Sequence, residues 1–138
     1  MEVESSEAPN PRAAGTAAMP RFAVVDIETS GLSLRRHRIL QVAVVTVEGG
    51  QVVDEWSSLV KPRWPWQRVG PSALHGISRR SLRSAPRRVE VLAEFGRRLE
   101  GTVFTAHNAP FDWSFIERAS RRDGVVLVRD PIDPAWFG

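Results

Sequence analysis

The sequence predicts an α/β domain, a mixed β-sheet flanked by helices, on three observations. The apolar run Phe22-Ala23-Val24-Val25 reads as a buried strand and leads directly into Asp26-Ile27-Glu28-Thr29-Ser30-Gly31. Two β-rich runs follow, residues 42–47 and 52–60, separated by Glu48-Gly49-Gly50-Gln51, and a Gly-Gly pair in that setting signals a tight hairpin. From Pro86 the period changes, with Val89, Leu92, Phe95 and Leu99 recurring at helical spacing.

Residues 1–20 are rich in Glu, Ser, Ala and Pro without apolar periodicity and read as a disordered tail, so the folded domain is expected over residues 21–138. Three antiparallel strands come first. Pro62-Arg63-Trp64-Pro65-Trp66 then reads as a loop, because its prolines exclude regular structure. The amphipathic helix after Pro86 returns the chain to a short strand at Val103-Phe104. Pro110 suits the first turn of a second helix, whose face continues through Phe111, Phe115 and Ala119. A last short strand is expected at Val125-Val126-Leu127-Val128, and there is no internal repeat.

The chemistry concentrates in carboxylates. Residues two apart on a strand share a face, so Asp26 and Glu28 can grip one ion together. An acidic pair beside an apolar strand is costly to desolvate and wants solvent, a basic partner or a divalent cation. Hard cations such as Mg²⁺ and Mn²⁺ take oxygen ligands of this kind. Asp112 sits at the junction of the fourth strand and the helix after it. If that strand lies parallel to and beside the first, Asp112 reaches the same sheet edge as Asp26 and Glu28, where open α/β sheets place ligands.

Composition narrows the options. A chain of 138 residues is long enough for one domain with a real core. It has no cysteine, which excludes disulfides and thiolate metal sites. No apolar stretch approaches the ~20 residues of a membrane span, and the acidic N-terminus lacks the regions of a signal peptide, so a cytoplasmic protein is expected. Basic residues outnumber acidic ones 19 to 16, and every one except Lys61 is an arginine. A net charge of +3 permits nucleic-acid binding without demanding it. The local runs Arg35-Arg36-His37-Arg38, Arg79-Arg80, Arg87-Arg88, Arg97-Arg98 and Arg121-Arg122 read either as a phosphate-tracking groove or as solvated helix faces.

Three segments together resemble the DEDDh 3′–5′ exonucleases, among them the epsilon proofreading subunit of bacterial DNA polymerase III. Residues 22–31 match an apolar strand followed by Asp-x-Glu-Thr-Thr/Ser-Gly; Leu74-His75-Gly76-Ile77-Ser78 matches a His-Gly-Ile-Thr/Ser turn; Ala106-His107-Asn108-Ala109-Pro110-Phe111-Asp112 matches the second acidic motif. The resemblance implies a ribonuclease-H-like sheet and two-metal hydrolysis of phosphodiesters at DNA 3′ ends. Asp26, Glu28 and Asp112 would be the catalytic carboxylates holding two Mg²⁺ or Mn²⁺ ions. Thr29, Gly31, His75 and Asn108 would lie near the 3′-terminal nucleotide. It further implies single-stranded DNA as partner and a DNA polymerase subunit as a possible associate; an alternative reading keeps the fold but takes short RNA as substrate.

The chain departs from that family at its third motif, His-x-x-x-x-Asp on a late helix, which supplies a general base and a fourth carboxylate. The sequence holds only His37, His75 and His107. His107 and Asp112 have the spacing, but they belong to the second motif. The domain is therefore expected to be incomplete at its C-terminus and impaired in catalysis, and the alternative is a non-catalytic module that binds 3′ ends or a polymerase partner. Plainer readings stand beside each residue. Asp26 and Glu28 can cap the following turn. Asp112 can answer the helix dipole, and His75 can organise its own turn. Trp56 and Trp113 read as core, whereas Trp64 and Trp66, beside prolines in a basic loop, are candidates for stacking on bases.

Overall fold

The computed structural model describes residues 19–71 and 75–127. Strands β1 (Arg21–Thr29), β2 (Ile39–Glu48) and β3 (Gln51–Leu59) are followed by a short helix α1 (Arg79–Leu82), helix α2 (Arg88–Leu99), strand β4 (Val103–Thr105) and helix α3 (Ala109–Asp123). The sheet order is β3-β2-β1-β4. The first three strands are antiparallel, and β4 lies parallel to β1 with Phe22, Ala23 and Val24 opposite Val103, Phe104 and Thr105. The Gly49-Gly50 turn has φ of 60° and 77°, the positive values that a two-residue hairpin requires and glycine supplies without strain.

Alternation along β1 separates two faces. Ala23, Val25 and Ile27 are buried with Val42, Val44 and Phe104 in one core closed by α2 and α3. The α2 stripe is Val91, Leu92, Phe95 and Leu99. Val89, expected in that stripe, is only half-buried, because the helix starts at Arg88 and turns its Val91 inward instead. Helix α3 contributes Ala109, Trp113, Phe115, Ile116 and Ala119, with Trp113 edge-on to Phe104 at 5.3 Å between ring centres. Trp56 packs on the same core and carries the Arg98 guanidinium 5.1 Å above its ring.

A bulge adds a second, smaller core. Glu28 faces Gln41 but Thr29 faces Ile39, so Leu40 is the extra residue that breaks the alternation. Leu40 joins Val69, Ile77, Leu82 and Leu59 in a cluster of its own. That cluster anchors α1, which sequence periodicity does not announce: it is four residues long, with Ser78 capping it by accepting from the Ser81 amide at 3.2 Å.

The strand expected over residues 125–128 is absent from the described part, residues 125–127, and Val128 lies outside it. Helix α3 ends at Gly124 in the left-handed region (φ 71°), and the Val125 amide bonds back to the Ser120 carbonyl at 2.9 Å. The chain is turned onto the core, where Val125 and Leu127 pack as partly buried side chains. Apolar content there serves packing rather than a ladder. The expected tail lies outside the described residues except at its last two positions.

Candidate active site at the carboxyl edge of the sheet

Because β4 is parallel to β1 and stops opposite Val24, the chain enters α3 beside the last residues of β1. Asn108 occupies the N-cap and Pro110 the first turn, where a missing amide costs nothing. That geometry brings Asp112 to Asp26. Asp112 is 7% exposed, and its carboxyl is pushed up to about 6, first by burial and then by the negative charge of Asp26. The amides of Ile27 and of Asp112 itself, and the nearby His107, pull the other way. Two carboxylates thus share one edge, the buried Asp112 beside the exposed Asp26, and none of the ion pairs among the described residues uses Asp26, Glu28 or Asp112.

Glu28 follows Asp26 on the same strand face, half-buried. Among the described residues no group of three or more His, Asp or Glu side chains converges tightly enough to form a complete metal cage. The donor set is oxygen-only, which suits a hard divalent ion, and the mutual repulsion of Asp26 and Asp112 is what such an ion would relieve. A fourth carboxylate is not part of the described edge.

The other expected residues divide. Thr29 turns its hydroxyl onto the Gly31 carbonyl at 2.6 Å, which closes the turn after β1. Gly31 has a packing reason: a Cβ there would come within 2.4 Å of the His37 ring. That ring is held in turn, its Nδ1 accepting from the Ser33 amide at 2.9 Å. His75 accepts from the Ile77 amide at Nδ1 (3.0 Å), so the Nε2 that lies 2.9 Å from the Val69 carbonyl is the protonated nitrogen. Both its nitrogens serve the loop. Leu74, part of the same motif, lies outside the described residues. Asn108 and His107 are exposed, and the Asn108 side chain makes no capping bond.

Residues 23–131 match the family described as exonuclease (RNase_T). The chain belongs to the exonuclease family. Among curated proteins, this exonuclease domain is 39% identical over 95 residues to the PolC-type DNA polymerase III of Thermotoga maritima, a match covering 69% of the chain and 7% of that polymerase. The chain thus spans a small fraction of such relatives. Solved structures give the same architecture. A product-bound exonuclease I superposes with a TM-score of 0.69 at 18% identity, covering 78% of this chain and 26% of that one. A zinc-bound complex of the Escherichia coli enzyme with single-stranded DNA superposes with a TM-score of 0.65 at 18% identity, covering 77% and 24%. These place the exonuclease domain in the ribonuclease-H-like fold.

Some of the basic runs read in the sequence as either a groove or solvated helix faces meet at one place. A pocket of about 520 Å³ opens between the start of β2, the end of β3 and the facing ends of α2 and α3, and six of its lining residues are basic. The Arg-Arg pairs at 87–88 and 121–122 were legible, and of the two readings the one that pools them is the arrangement found, with Arg38, Lys61 and Arg63 beside them.

Proposed function

We propose that this chain is a 3′–5′ exonuclease domain of the proofreading type, acting on phosphodiesters at single-stranded DNA 3′ ends in the cytoplasm beside a replicative polymerase. The observation that carries the reading is the parallel β1–β4 pair, which sets Asp112 against Asp26 at the carboxyl edge of the sheet. The family match and the PolC relatives support it.

Asp26 and Asp112 would hold a divalent ion, Mg²⁺ or Mn²⁺, with Glu28 closing on it from the same strand face. A pair of such ions supplies activation of the attacking water and stabilisation of the leaving 3′-oxygen. The chain's own residues do the rest. Asp112 must be deprotonated to serve, which ties its function to pH above about 6. Asn108, exposed at the N-cap of α3, would lie near the 3′-terminal nucleotide, together with Thr29, Gly31 and His75.

A second reading is a binding module that holds 3′ ends without cutting them. It is favoured by the histidines: His37 and His75 are engaged with backbone, and among the described residues His107 is the one histidine whose charge acts on Asp112. General-base catalysis is typically worth ~10²–10⁴-fold, so lack of a dedicated base would leave binding intact and turnover low.

The test is thermal unfolding with and without Mg²⁺ or Mn²⁺, together with release of mononucleotides from end-labelled single-stranded DNA. Metal should raise the midpoint of the wild-type chain by preferential binding to the folded form, and Asp26→Ala should abolish the rise. Turnover should be low for residues 1–138 and high for a longer chain that supplies a His-x-x-x-x-Asp. No metal-dependent shift in wild type, or nuclease activity that survives Glu28→Ala with Asp112→Ala, would sink the reading.

A further inference from the structure

The basic pocket lies apart from the carboxylates. It opens on the helix-covered face of the sheet, whereas Asp26 and Glu28 point to the other face, and the loop from Ser30 to Arg38 joins them over the sheet edge. That loop is pinned at both ends, the Arg38 amide donating to the Ser30 hydroxyl and the Ser30 amide to the Arg38 carbonyl, each at 3.0 Å.

The pocket holds more positive charge than the described residues neutralise. Its one carboxylate, Asp123, is already committed to Arg88 through two bonds of 2.7 and 2.8 Å. Arg87 has only an exposed contact with Glu90 at 3.8 Å. Arg38, Lys61, Arg63 and Arg122 have no carboxylate partner among the described residues. Arg38 is lowered from its ordinary value by burial and by the surrounding guanidinium groups of Arg122, Arg88, Arg118 and Arg63. The buried Nε of Arg118, beside Arg38 and Arg122 in the adjoining cleft, also lacks a hydrogen-bond partner among the described residues. Crowding like charges without anions costs stability, and an anionic ligand would relieve it.

The rim adds a second, independent observation. Arg63 and Gln67 line the pocket, and between them Trp64 and Trp66 stand stacked with ring centres 6.3 Å apart. Trp66 is 76% exposed. The loop is braced from below, with the Arg79 guanidinium donating to the carbonyls of Pro65 (2.7 Å) and Gln67 (2.8 Å). Arg63 lies over the Trp64 ring at 5.4 Å, and an exposed, braced indole beside cations without a carboxylate partner among the described residues is the combination that single-stranded nucleic acid uses, its phosphates taken by arginine and lysine and its bases by an aromatic face.

We propose that this pocket and the Trp64–Trp66 rim form a second nucleic-acid site that anchors a single strand away from the carboxylate edge. Arg38, Lys61, Arg63 and Arg122 take successive backbone phosphates and Trp66 stacks on a base. The proposal rests on the nucleic-acid reading of the family, but it needs neither metal nor catalysis. Arg35 and Arg36 are exposed on the loop that joins β1 to Arg38.

The experiment is fluorescence anisotropy of the 138-residue chain with a labelled oligothymidylate of about a dozen nucleotides, in EDTA, over a range of salt. Wild type should bind. Lys61→Glu with Arg122→Glu should weaken binding by about tenfold or more and flatten the salt dependence, by ~0.7 in slope for each phosphate no longer neutralised. Trp66→Ala should weaken it by about fivefold or more. Binding that persists in EDTA, where no divalent ion is available to the carboxylates, separates this site from them. Removing like charges should not unfold the chain, and a thermal melt checks that. Inorganic tripolyphosphate is the second probe. If it displaces the strand equally well at equal phosphate concentration and Trp66→Ala binds normally, the pocket is a simple anion site and the proposal is overturned. It is also overturned if wild type does not bind in EDTA at low salt or if the double charge reversal leaves binding unchanged; a metal-dependent stability shift in that case would leave the exonuclease reading standing.

Discussion

Asp112 concentrates the conflict between folding and chemistry in one side chain. Its folded-state value of about 6 lies above the ordinary 3.8, so the proton is held more tightly by the folded chain. The resulting stabilisation is fully present below about pH 4 and is lost as pH rises through about 6. In EDTA, the contribution of Asp112 therefore makes the folded chain weaker at neutral pH than at mildly acidic pH, and Asp112→Asn should raise the neutral-pH unfolding midpoint and flatten this part of the pH profile. A profile for the variant that superimposes on wild type would refute the assignment. Gly31 is a second single-residue case. Its Cβ would meet the His37 ring at 2.4 Å, so Gly31→Ala should cost ~1–3 kcal/mol in urea unfolding through overpacking. The acidic motif was legible in the sequence because its residues are contiguous, and the role of Gly31 was not, because the ring it accommodates is met only after the loop closes.

At the scale of elements, strands and long helices were readable because each has a period, whereas the bulge at Leu40 and the four-residue α1 have none. The misplaced final strand has the same origin: a run of valines satisfies the strand pattern whether it meets a ladder or packs on a helix. The α2–α3 pairing rests on long-range interactions that no local pattern announces. Arg88 at the start of α2 takes Asp123 at the end of α3 in a bidentate bridge whose side chains are 14% and 15% exposed. Arg88 holds the Asp123 carboxyl below its usual value, chiefly through the hydrogen bonds. This bridge is neither fully buried nor free in solvent, so Asp123→Ala should cost ~1–3 kcal/mol, between the values for those two limits. A double-mutant cycle with Arg88→Ala measures it, and a coupling near zero would show that the helices are held by Val91, Phe95 and Ile116 alone. By lowering stability while freeing Arg88, Asp123→Ala should also tighten strand binding in EDTA.

The whole molecule is asymmetric across its sheet. Ala23, Val25, Val42, Val44 and Phe104 on the helix side are each no more than 3% exposed, while Val24 and Val53 on the other side are 39% and 49% exposed. Among the described residues only the small cluster around Leu40 covers part of that second face. Among the described residues this second face is therefore the open one. Exposed apolar surface of this kind draws hydrophobic dyes and promotes association. The folded 138-residue chain should therefore enhance the fluorescence of an anilinonaphthalene dye, and Val24→Thr with Val53→Thr should reduce that signal while each shifts stability by no more than ~0.5 kcal/mol. A native chain that binds no dye and sediments as a monomer at all concentrations would show the face to be already covered.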